Sequence, residues 1–79
     1  MTLAEAVATR TKELLKKYNI SQYRLIKETC LDKTTIQCLL KNKTKDIKLS
    51  SVLLIANVFN MTLTEFFDCD YFKYNNINL

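Results

Sequence analysis

Neither glycine nor proline occurs anywhere in this chain. Tight hairpins depend on residues that accept positive φ, and a chain lacking both residues is poor in sharp reversals, so an all-helical fold is favoured over a sheet. The 79 residues leave room for one domain, 1–79, around one small core, and 48% of them are hydrophobic. Helix ends must then be closed without glycine. Asparagine tolerates the left-handed conformation better than most residues, and Asn19, Asn42 and Asn60 each follow an apolar-periodic segment.

Helix starts are equally legible. Thr2 with Glu5, and Thr62 with Glu65, are capping-box signatures for a first and a fifth helix. Leu3, Val7, Leu14 and Tyr18, with Leu15 beside them, form the inward stripe expected of the first helix. Ser21 is placed to cap a second helix with Leu25 and Ile26 inward, and Asp32 to cap a third with Ile36 and Leu39 inward. A fourth runs from Leu49 or Ser50 to Phe59, after a polar loop from Lys41 to Lys48. The fifth passes through Leu63, Phe66 and Phe67. A tail over 68–79 follows, frayed at its end unless it docks. The expectation is a compact bundle of five short helices.

Several function classes are excluded. With no histidine, no glycine-rich phosphate loop, and isolated acids and cysteines, no acid-base or nucleophilic constellation can be assembled. No enzyme activity, cofactor or small-molecule ligand is expected. Cys30, Cys38 and Cys69 make an odd count without zinc-finger spacing, which argues against a disulfide framework and a structural metal; they read as small apolar side chains. No apolar run approaches the ~20 residues needed to span a bilayer. Met-Thr-Leu-Ala-Glu lacks the basic flank and apolar core of a secretion signal, so a cytoplasmic location is expected. The glycosylation-like triplets Asn42-Lys43-Thr44 and Asn60-Met61-Thr62 are then chance matches.

Net charge is +4, unevenly spread. Residues 10–48 hold eleven of the twelve basic residues against four acids, a local charge of +7; residues 49–79 hold one against three, −2. The basic part contains the most informative stretch, Ser21 to Asn42: two short helices joined by a tight turn. Such a pair is narrow enough to enter a DNA major groove.

The residues from about Leu14 to Phe67 resemble the Cro and phage-repressor (XRE-type) family of helix-turn-helix domains. The resemblance rests on Ile20-Ser21-Gln22, Leu25 and Thr35-Ile36, then Leu49, Val52, Leu53 and Ile55-Ala56, and finally Thr62-Leu63-Thr64-Glu65-Phe66. It implies a lambda-repressor-like fold with the helix-turn-helix over about 21–42, and a prokaryotic or phage DNA-binding regulator, most naturally a repressor. An antitoxin or other protein-interaction module is the alternative. Two departures stand out. The family usually has glycine in the turn where this chain has Cys30, and prefers a small residue where Ile26 sits.

In this motif class the N-terminal turn of the third helix reaches base edges. At about 100° per residue, Lys33, Thr34, Gln37 and Cys38 lie opposite Ile36 and Leu39. Gln37 can pair with adenine and Lys33 with guanine N7 and O6, while Thr34 can touch a thymine methyl. Cys38 is read as an apolar contact. Backbone contacts are expected from Gln22, as the resemblance implies, flanked by Ser21 and Tyr23, and from Lys43, Thr44, Lys45 and Lys48.

One such domain reads only a half-site, so a homodimer on a two-fold operator is expected. Leu40 and Leu54 stand where the family usually has charge, and Val58, Tyr71 and Phe72 add apolar surface. Leu54, Val58, Tyr71 and Phe72 are the expected dimer contacts, through the fifth helix and tail.

Overall fold

The computed structural model describes residues 1–78, which form five α-helices and no strand. These are α1 (Leu3–Lys17), α2 (Gln22–Thr29), α3 (Lys33–Leu40), α4 (Leu49–Val58) and α5 (Leu63–Phe67), followed by single 3₁₀ turns at Asp70–Phe72 and Tyr74–Asn76. The fold is all-α, as the missing glycine and proline imply.

Both capping boxes form. The Thr2 hydroxyl accepts from the Glu5 amide at 3.1 Å, and the Glu5 carboxylate accepts from the Thr2 amide at 2.9 Å. Thr62 and Glu65 repeat the exchange at 3.2 and 2.9 Å. The Thr2 backbone and hydroxyl hydrogen bonds hold the Glu5 carboxyl below its ordinary pKa. The cap therefore strengthens folding above the usual carboxylate range and fades as pH falls through that lowered value. Ser21 caps α2 by accepting from the Arg24 amide at 3.1 Å. Asp32 occupies the cap position of α3, but its side chain makes no capping bond.

Asn19, Asn42 and Asn60 adopt φ of 54°, 58° and 56°. Each closes its helix with the paired backbone bonds of a Schellman end. After α3, for example, the Asn42 amide donates to Leu39 O at 3.1 Å and the Lys43 amide to Cys38 O at 2.8 Å. Cys30 is the fourth left-handed residue, at φ 58° and ψ 18°. It carries a Cβ in the conformation glycine favours, at about 1 kcal/mol of strain.

One core serves every helix: Val7 and Leu14 from α1, Leu25 from α2, Ile36 and Leu39 from α3, Val52, Ile55 and Ala56 from α4 with Phe59 at its end, and Phe66 from α5. α1 packs on α3, and α2 on α4. The inward line of α1 differs from the expected stripe. It runs through Ala4, Val7, Ala8, Thr11 and Leu14, while Leu3 is 48% exposed and Tyr18 47%. Small side chains let the neighbouring helices approach closely, and Thr11 is tolerated because its hydroxyl donates to Val7 O at 2.8 Å. Tyr18 instead lies over the rim, its ring 6.1 Å from that of Phe59. Leu25 is fully buried, and Ile26 beside it is half-buried, packed against the margin of the core.

The tail docks. The Asn78 amide donates to Met1 O at 2.8 Å, and the Met1 amine donates to Asn76 O at 3.2 Å. Tyr71 donates its phenolic hydrogen to Glu13 on α1. Arg10 spans the gap to α5, donating to Phe66 O at 2.9 Å and Glu65 O at 3.1 Å. These bonds satisfy carbonyls at the end of a five-residue helix that has few internal partners of its own.

Candidate nucleic-acid interface

The second and third helices are held at a fixed turn by Thr29. This buried residue donates from its hydroxyl to Leu25 O at 2.7 Å and accepts from the Leu31 amide at 3.3 Å. One side chain thus ties the last turn of α2 to the segment leading into α3, across the strained Cys30. Sequence reasoning passed over it, because a threonine near a helix end is commonplace. Its signal was the lack of glycine beside it, which leaves the turn in need of another brace.

With the turn fixed, side chains from both helices converge. Gln22, Tyr23 and Ile26 of α2, with Lys33 and Gln37 of α3, line an open groove of about 450 Å³. Gln22 and Tyr23 begin α2, and the Tyr23 ring is 74% exposed. Lys33 and Thr34 are exposed in the first turn of α3, with Gln37 half-buried one turn later. Cys38 is also half-buried and does not line this groove. Among the described residues, the one ion pair on α2 and α3 joins Arg24 to Glu28. Gln22, Lys33, Thr34 and Gln37 keep their polar side-chain atoms unengaged by any hydrogen bond or ion pair there.

The loop after α3 contributes separately. Lys43, Lys45 and Lys48 are exposed, and half-buried Ile47 anchors the loop against the core. Thr44 and Lys48 line a second concavity of about 290 Å³ with Thr35, Asp46 and Ser51, distinct from the groove holding Gln22 and Gln37. The Ser21 hydroxyl caps α2 as an acceptor, which leaves its own hydrogen available to donate.

A family model described as a Cro/C1-type HTH DNA-binding domain matches residues 10–71, most of the chain. The chain belongs to this family. Nothing among curated proteins or solved structures matches it. As a Cro/C1-type domain it is a DNA-binding helix-turn-helix regulator and not an enzyme. The described residues hold no cluster of three or more His, Cys, Asp or Glu able to bind a metal ion. No described helix is long and apolar enough to cross a membrane.

The expected dimer residues divide into two kinds. Leu54 is 41% exposed on α4. It shares that helix with Leu49 at 62% and Leu53 at 50%, and the sequence of α4 contains no charge. Val58 is half-buried against the core. Tyr71 and Phe72 have partners within the chain: Tyr71 bonds to Glu13, and the Phe72 ring sits edge-on to Phe67 at 4.8 Å and tilted against Phe66 at 6.1 Å. Leu40 also packs at the core margin.

Proposed function

We propose that this Cro/C1-type protein is a sequence-specific transcriptional repressor that reads the major groove with the first turns of α3. The supporting observation is the convergence of Gln22, Lys33 and Gln37, from two helices, around one open groove with their polar ends unengaged. Lys33, Thr34, Gln37 and Cys38 make the base contacts. Ser21, Gln22, Tyr23, Lys43, Thr44, Lys45 and Lys48 hold the phosphates on either side and set the register of α3 without reading sequence. The local charge of +7 over residues 10–48 supplies the long-range attraction.

The protein works in the cytoplasm as a homodimer on a two-fold operator, joined through Leu54 and Val58 with Tyr71 and Phe72 at the margin. Selection of bound sequences from a random DNA pool tests the whole reading. A palindromic motif with half-sites about one helical turn apart is the expected result. Enrichment of no sequence at all would refute it. The uncharged outer row of α4, with three exposed leucines, favours a second reading in which a different protein docks there and DNA binding is secondary, as in an antitoxin. Co-purification of a stoichiometric partner together with loss of the operator signal would favour that reading.

A further inference from the structure

We propose that Ile26 is itself a specificity-determining residue: the groove between α2 and α3 receives the 5-methyl group of an operator thymine against Ile26 and the Tyr23 ring. The proposal rests on the major-groove reading above and extends it from α3 to α2.

The groove has an unusual mix of surfaces. Gln22, Lys33 and Gln37 contribute free amide and ammonium groups, while Ile26 and Tyr23 contribute apolar area. Ile26 is half-buried: one side packs against the core beside the fully buried Leu25, and the rest lines the groove. The part of Ile26 left in the groove gains from an apolar group of the ligand that takes it out of water. In the major groove of unmodified DNA the base edges present hydrogen-bond donors and acceptors and one aliphatic group, the thymine methyl. That methyl projects from the same base pair as the adenine N6 and N7 atoms that a glutamine amide recognises. The arrangement of Gln37 beside Ile26 therefore matches a whole T·A pair, amide to adenine and isoleucine to methyl. Lys33 and the neighbouring basic loop set the charge of the surroundings to suit DNA.

Exchanging thymine for deoxyuridine removes this methyl and leaves every hydrogen-bonding group of the base pair in place. The experiment takes the site selected from the random pool and replaces its thymines by deoxyuridine one at a time, with Kd measured by mobility shift. One position in each half-site is expected to weaken binding roughly fourfold with the wild-type protein, the worth of one buried methyl. With Ile26→Ala the same exchange is expected to make no difference, and Ile26→Val should fall between. If no thymine exchange weakens wild-type binding, the proposal is overturned without recourse to any variant. A loss of unchanged size in Ile26→Ala would overturn it too, by moving the methyl contact to another residue. A selected site with a clear motif but indifferent to every methyl refutes the role of Ile26 alone. Failure to select any motif refutes the major-groove reading as well.

Discussion

Around the contacts between α1 and the C-terminal turns, Arg10, Glu13 and Tyr71 all find partners on their own chain. Across α2 and α3, by contrast, Gln22, Lys33, Thr34 and Gln37 engage none among the described residues. Both regions rest on the same core, yet one is closed and the other left open. On the proposed function, the difference separates stability from recognition. Polar groups already bonded within the fold hold the short α5 and the tail in place. Polar groups left hydrated on a braced surface can exchange water for base edges without first breaking an internal bond.

The largest effect should come from the core that the two regions share. Phe66 is fully buried and touches the rings of Phe67 and Phe72, with the Arg10 guanidinium 6.0 Å from its centroid. Phe66→Ala should destabilise the fold by about 3–5 kcal/mol, enough to abolish a cooperative thermal transition in a chain this small. Retention of the transition would mean that the tail is not locked through this ring.

Gln37→Ala sharpens the contrast, because it should weaken cognate binding by about 1–3 kcal/mol and relax discrimination at one base pair. Thermal stability should stay near wild type, since the Gln37 side chain has no internal partner. Equal losses on cognate and random DNA would remove Gln37 from the reading residues.

Cys30→Gly probes the turn between α2 and α3. Relief of the left-handed strain, about 1 kcal/mol, is largely offset by the greater freedom of glycine in the unfolded chain, leaving a gain of about 0.5 kcal/mol or less. Asn42→Gly, at the same φ of 58°, should gain less, because asparagine already tolerates that conformation. Chemical denaturation of the two variants compares them directly.

Smaller effects follow at the edges. Lys43→Ala should weaken binding to all sequences alike and lower the slope of log K against log salt by roughly 0.9. A steeper loss on the cognate site would make Lys43 a base reader. At the tail, the hydrogen bond to Glu13 raises the pKa of Tyr71 above its ordinary value. The neutral phenol is the donor, so this contact is fully present below about pH 10 and is lost as pH rises through the raised value. Tyr71→Phe should remove that alkaline component from a series of melting temperatures.

Much of the fold was legible from local chemistry. Thr2, Glu5, Thr62, Glu65 and Ser21 act within three residues of themselves, and the asparagines at 19, 42 and 60 respond to the helix end immediately before them. Such interactions follow from spacing alone. Leu3 and Tyr18 lie outside the expected stripe because hydrophobicity says which residues can be buried, whereas the surrounding helices decide which are. Thr11 and Thr29 were missed for the converse reason: a hydroxyl can enter the core once a carbonyl four residues back accepts its hydrogen. Lys33 and Gln37 are nameable from a helical wheel, but their convergence with Gln22 and Ile26 depends on how α2 crosses α3.

The order of residues by itself determined the helical class, the five helix starts, the three ends at Asn19, Asn42 and Asn60, the basic character of residues 10–48 and the family to which the chain belongs. These are short-range or additive properties, summed along the chain. Only the tertiary structure decided that Thr29 braces the turn, that the tail returns to Met1 and Glu13, and that an isoleucine lies among glutamines and a lysine in one groove. Each of those joins groups whose meeting depends on packing, and packing is settled by the whole core at once.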